Sequence, residues 1–261
     1  MAIARPVPQV SAPAYEVRKI SSADIRESLR QGWDDFMAKR GDLLFIGILY
    51  PLIGLFAAIV AFNGPWLPLL VPVAAGVSLL GPVAAIGFYE LARRREAGLE
   101  SDWSHFFDVT KRPALDSIIA VAALLVVIFV AWVAVASLIY TALMGPAPES
   151  VGGFLRSVFT TPEGWALIVI GNLVGLGFAA IVLTISVVSL PLLVDHDVDA
   201  RTAIATSVQA VMANKMMTAR WGLIVAFLLV LGSIPVFLGL AVVLPVLGYA
   251  TWHLYTHLVV R

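Results

Sequence analysis

The last apolar stretch, residues 221–260, reads "WGLIVAFLLVLGSIPVFLGLAVVLPVLGYATWHLYTHLVV". Its length decides the topology. About 20 apolar residues in helical form cross the hydrocarbon core of a bilayer. Forty are too many for one crossing and just enough for two. "LGSIP" at 231–235 is the natural reversal, because Gly and Pro punctuate helices. Two spans are therefore expected here, at about 218–234 and 236–258.

Upstream the same measure finds four more spans, at about 43–62, 67–91, 114–143 and 165–194, the first two joined by "NGPW". The expectation is an all-α, polytopic helical bundle: six transmembrane helices arranged as three hairpins. Composition agrees, since 60% of the 261 residues are hydrophobic and 13% are charged, too few charges to wet a soluble surface. The net charge is zero, so no basic field invites nucleic acid. Cysteine is absent, which excludes disulfides, thiolate metal sites and cysteine nucleophiles.

Lysine and arginine orient the bundle. With six spans and the N-terminus inside, sixteen of the seventeen fall on the inner side and Arg156 alone falls outside. That is the positive-inside pattern, and it puts both termini in the cytoplasm. A single last span would instead strand Arg261 outside. Residues 1–20 lack the apolar core of a signal peptide; Pro6, Pro8 and Pro13 mark a flexible cytoplasmic tail, and the first span is expected to serve as an uncleaved signal. Residues 21–261 form the membrane domain.

The inner segments are amphipathic. Residues 22–38 gather Ile25, Leu29, Trp33 and Phe36 on one helical face, and 200–215 gather Ile204, Val208, Val211 and Met212. "WDDF" at 33–36 is echoed by "WSHF" at 103–106. Such cytoplasmic helices are expected to lie in the headgroup plane, with Trp33, Phe36, Trp103, Phe106, Arg93, Arg94 and Arg95 as interfacial anchors. A weak threefold repeat runs through the chain. Pro82, Pro191 and Pro245 should kink spans two, four and six, and each is followed eight residues later by a polar group: Glu90, Asp199 and His253, a candidate polar cluster.

Chemistry-bearing residues are few. "SLPLLVDHDVDARTA" at 189–203 clusters Asp195, His196, Asp197 and Asp199. Asp197 or Asp199 suits an N-cap for the helix beginning near Ala200. A calcium loop would need a glycine turn and a closing glutamate, both missing; a docking contact is the third reading. His253 and His257 share a helix face at i, i+4 spacing and are the candidate metal ligands, against a plainer place in an aromatic belt with Tyr249, Trp252 and Tyr255. Glu90 stands at ion-pair spacing from Arg93 and Arg94. His105 has no partner identifiable from sequence. No charged residue falls mid-span, which weakens a pump or proton-coupled carrier. Asn172, Ser78, Ser137, Thr184, Ser186 and Ser189 are expected in helix–helix hydrogen bonds, and Gly171 and Gly175 in a tight crossing. No phosphate loop and no nucleophile elbow is present.

"GPVAAIGFYELARRREAGLESDWSHFF" (81–107) and "SLPLLVDHDVDARTAIATSVQAVMANKMMTARWGLIVA" (189–226) resemble signature blocks of a bacterial integral membrane protein family, domain of unknown function 2189. The resemblance runs over most of residues 20–260 and implies a Gram-negative inner membrane. The family has no established activity, and some members carry a provisional cytochrome c oxidase subunit label. This chain has four histidines, too few near lipid for a catalytic oxidase subunit, so the label implies at most association with respiratory complexes. The expected function is a non-enzymatic accessory or scaffold subunit with no cofactor, in contact with lipid and other membrane subunits. The alternative is a small-solute permease or channel with kinked second, fourth and sixth spans around a central path.

Overall fold

The computed structural model describes residues 15–38, 81–146, 150–235 and 238–261. The expected first span and most of the second lie outside these residues, as do Ser78 and the start of the N-terminal tail. The described residues are helical: α1 (Ser22–Ala38), α2 (Gly81–Ala84), α3 (Ile86–Glu96), a 3-10 helix (Trp103–Lys111), α4 (Leu115–Met144), α5 (Val151–Thr160), α6 (Pro162–Asp195), α7 (Ala200–Ala213), α8 (Lys215–Ser233) and α9 (Leu240–Leu258). The β pairing among them is an isolated antiparallel bridge, Val17 with Val259.

Among the described residues, three helices are long and apolar enough to cross a membrane: α4 with 30 residues, α6 with 34 and α8 with 19. At 1.5 Å per residue α6 is about 51 Å long, whereas the hydrocarbon core is about 30 Å thick. Burial shows which part of α6 is surplus. Trp165, Val169, Leu173, Leu176 and Ile181 are exposed, but every residue from Ser186 to Val194 is buried in protein. The same division runs through α4, where Ile118, Val121 and Leu125 are buried and Val127, Val130 and Leu138 are exposed. The molecule thus has an apolar layer of side chains open to lipid and, beyond it, a packed foot.

The C-terminal half of α9 occupies the middle of that foot. Leu247, Tyr249, Ala250, Trp252, Leu254, Tyr255 and Leu258 are all buried, packed among α1, α3, α6 and α8. Here the structure revises the sequence reading: Tyr249, Trp252 and Tyr255 are core residues, not a belt at the lipid surface. α8 ends at Ser233, within the "LGSIP" stretch, α9 begins at Leu240, and Gly239 packs on Gly232.

α1 packs along α9 instead of lying face-down on headgroups. Its buried stripe is Ile25, Ser28, Gly32, Asp35 and Phe36. Gly32 is required by the crossing, because a Cβ there would stand 2.6 Å from the backbone nitrogen of Ala250. Gly248 lets Phe88 approach in the same way, at 2.8 Å from the position its own Cβ would take. The "WDDF" and "WSHF" echo has a structural meaning. Trp33 and Trp103 both face outward, 47% and 48% exposed, while Phe36 is buried and Phe106 packs edge-on to Phe88 with centroids 5.0 Å apart. Phe36 and Phe106 are therefore core groups, not interfacial anchors.

α7 also buries a different face from the one expected. Ala203, Thr206, Ser207, Ala210 and Val211 face the protein, and Met212 is exposed. Small residues let α7 lie close to α6. The Ser207 hydroxyl donates to the Thr184 carbonyl at 2.7 Å and accepts from the Val188 amide at 3.2 Å. It stands across one i, i+4 backbone pair of α6, three residues before Pro191, whose missing N–H already weakens the ladder. α6 continues through Pro191 and α9 through Pro245, while α2 and α3 are separated at Ala85, three residues after Pro82. Among the described residues, Asn172, Thr184, Ser186 and Ser189 bond within α6 and not across helices. Each donates to the carbonyl four residues back on its own helix, the local bond open to a polar side chain in an apolar stretch. Gly175 does receive Trp132 of α4, but Gly171 faces open space.

Gly32→Val should cost about 1–3 kcal/mol, the usual range for overpacking. Denaturant unfolding should show it, with α1 becoming susceptible to limited proteolysis.

Candidate functional site

The polar residues of the foot form a belt at the ends of α1, α3, α6 and α9. Asp35, buried on α1, faces Arg95 Nε of α3 and His253 Nε2 of α9, both at 2.8 Å. Glu96 of α3 accepts from Trp252 Nε1 at 3.1 Å and from Arg261 Nη1 at 3.0 Å. Arg261 also lies over the Trp252 ring, 5.8 Å from its centroid. Burial alone would raise the Glu96 pKa, but the hydrogen bond and charge of Arg261, helped by Trp252, turn the net shift downward.

At the end of α6, Asp195 accepts from Tyr255 Oη at 2.9 Å, with Arg261 Nη1 at 3.5 Å. Arg112 donates to the carbonyls of Val194 and Asp195, placing a cation at the negative end of the α6 dipole. Its pKa is lowered, first by desolvation and then by Arg93. Arg112 Nε and His196 Nε2 are buried without hydrogen-bond partners, and both residues line a cavity of about 120 Å³.

The segments at 16–18 and 258–260 are joined beside the belt. Arg18 N donates to Leu258 O at 2.8 Å and Val260 N to Glu16 O at 3.0 Å. Asn214, between α7 and α8, accepts from Ile20 N and donates to Arg18 O, both at 2.9 Å. One side-chain amide thus fixes the N-terminal segment to the α7–α8 junction.

The expected polar cluster is not brought together. Glu90, 1% exposed, makes a two-point pair with Arg93 at 2.6 and 3.0 Å. Asp199 caps α7, taking Thr202 N at 2.9 Å and Thr202 Oγ1 at 2.7 Å; these bonds lower its pKa. Asp197 is exposed and leaves the cap to Asp199. His253 belongs to Asp35. His257 turns to a different acid, with Nδ1 4.0 Å from Asp24 Oδ1, so the i, i+4 pair does not converge on one point. Arg93, Arg94 and Arg95, expected as lipid anchors, each face an acid of the protein: Glu90, Asp108 and Asp35.

His105 has the partner that sequence could not name. Its Nδ1 lies 2.7 Å from Asp108 Oδ2, and Lys111 Nζ donates to Asp108 Oδ1 at 2.6 Å. Lys111 and then His105 pull the Asp108 pKa down to about 2. Glu100, Asp102 and His105 are the group among the described residues whose ligand atoms converge closely enough to share an ion. Asp102 already caps the 3-10 helix through Ser104 N at 3.0 Å.

Residues 70–195 match the family model described as "Predicted integral membrane protein (DUF2189)". The chain is an integral membrane protein with apolar helices. No curated protein and no solved structure matches it. The DUF2189 match takes in α2 to α6 and ends on Asp195. Arg95, Glu96, Arg112 and Asp195 lie inside it; Asp35, His253, Tyr255 and Arg261 lie outside. The polar belt therefore ties the DUF2189 segment to the helices that flank it.

Sequence reasoning missed Asp35, Ser207, Asn214, Tyr255 and the carbonyl-binding role of Arg112. "MANKMM" at 212–217 does place an Asn between two helical patterns, where it suits a junction. The others bond across 19 to 218 residues of chain, and no local spacing announces them.

Asp199→Ala should cost about 0.5–2 kcal/mol as a lost N-cap, and Asp197→Ala less than about 0.5 kcal/mol, in matched unfolding curves. Asp108 has a depressed folded pKa, so its contribution is full above the ordinary value of 3.8 and is lost as pH falls toward about 2. Acid titration should loosen residues 103–111 over that window by hydrogen exchange, and Asp108→Asn should remove the dependence.

Proposed function

We propose that this chain is a non-enzymatic accessory or scaffold protein of a bacterial inner membrane, standing beside other membrane subunits such as those of respiratory complexes. The observation that carries the reading is the use made of its polar groups. Asp35, Glu90, Glu96 and Asp195 are each engaged by a cation or a donor of the protein. Three of these four acids join different helices. Groups spent in this way hold the protein together and are not open to a substrate. The result is a rigid foot that presents Trp33, Trp103, Phe107 and Met216 outward, 47%, 48%, 61% and 75% exposed.

The reading includes six spans: two over 43–62 and 67–91, then α4, α6, α8 and α9. Both termini are cytoplasmic. The joined ends support this, since residues 16–18 pair with residues 258–260 and must share one side of the membrane. The clustering of cations in the foot favours the inner side, and Arg156 lies on α5, at the opposite end of α6. Against the permease stands the separation of Glu90, Asp199 and His253, each held by its own partner.

Extraction in mild detergent, with cross-linking before lysis, should recover membrane subunits in fixed stoichiometry with the chain. A solitary protein under both conditions would overturn the proposal.

A further inference from the structure

α1, α3 and α9 leave a cleft of about 350 Å³ between them at the polar end. Gln31 and Asp35 of α1, Arg95 and Glu96 of α3, and Thr256 and His257 of α9 line it. The two acids are already matched: Asp35 by Arg95 and His253, Glu96 by Trp252 and Arg261. On the rim, Asp24 accepts from Ser21, and Glu27 from Arg30 and Gln31. The acceptors are thus occupied.

Donors are left over. A guanidinium is a planar fork of five N–H groups, and Asp35 faces the one on Arg95 Nε. The terminal groups of Arg95, whose side chain is 38% exposed, remain for another acceptor. His257 Nε2 is buried and has no hydrogen-bond partner. Gln31 spends one N–H on Glu27 and keeps a second. A polar cleft with open donors and satisfied acceptors selects for anionic oxygens. A planar fork beside an imidazole suits the oxygens of a phosphate in particular.

We propose that this cleft binds a phosphate group, gripped by Arg95 and His257. With phosphate beside it, His257 donates from Nε2 while Nδ1 faces Asp24. The volume takes a phosphate together with a group the size of glycerol, so either free phosphate or the headgroup of a phospholipid supplies the same chemistry. The proposal does not depend on the scaffold reading, because a solitary protein would keep the cleft.

The test uses the full chain in detergent, titrated with inorganic phosphate in one arm and dihexanoylphosphatidylglycerol in the other. Binding is read by thermal shift and calorimetry for the parent, Arg95→Gln and His257→Gln. His257→Gln leaves the Asp35–Arg95 pair intact, so it separates ligand binding from helix docking; circular dichroism confirms that each variant folds. Saturable binding in either arm, weakened about tenfold or more by His257→Gln (the loss of one good contact), supports the site, and the arm that binds names the source. Binding in neither arm, or binding that both variants leave unchanged, overturns it and leaves the cleft to water.

Discussion

An α-helix of 34 residues does not fit inside a hydrocarbon layer about 30 Å thick, and the rest of this structure follows from where the surplus of α6 goes. The surplus is as apolar as the part in lipid, so it must be covered by protein. α7 folds back along it, with small residues at the contact and the Ser207 hydroxyl across the α6 backbone. α9 covers another side. The result is a packed foot below an apolar layer, with nine consecutive residues of α6, Ser186 to Val194, fully enclosed.

A foot of this kind needs polar groups at its edges, and polar groups beside an apolar core are costly unless they are paired. The belt meets that condition by joining helices distant in sequence. Asp35 reaches α3 and α9, Glu96 reaches Trp252 and Arg261, and Asp195 reaches Tyr255. Glu90 alone is served from its own helix, one turn on, by Arg93. Removing one partner of such a pair leaves the other a buried charge without a compensating group. Residues 16–18 and 258–260 pair beside the belt, so segments more than two hundred residues apart close the same structure.

The relation between the belt and the apolar layer also separates two kinds of polar residue. In the layer, Asn172 and Thr184 satisfy themselves on their own helix and contribute nothing to association. In the foot, Ser207, Asn214 and Tyr255 reach other segments. Ser186 and Ser189, although enclosed in the foot, also bond back to their own helix, so the reach to another segment belongs to the residues whose neighbours leave an open backbone or carboxylate group beside them.

The sequence by itself determined the helices that matter to lipid. The windows at 114–143 and 165–194 fall on α4 and α6, and α8 ends inside the 231–235 stretch. Apolar length, glycine and proline act locally, so they can be read locally. It determined too that an aspartate would cap the helix at Ala200. It gave the local pair of Glu90 with Arg93, three residues apart on one helix. Tertiary structure alone decided the faces: Phe36 turns inward and Phe106 packs on Phe88, Tyr249, Trp252 and Tyr255 become core, and Arg94 and Arg95 face acids of other segments. An aromatic or basic residue near the end of a span is equally suited to a lipid interface and to a protein interior. Which one it meets depends on which helix arrives beside it, and that is set by contacts such as Gly32 against Ala250, whose partners lie more than two hundred residues apart.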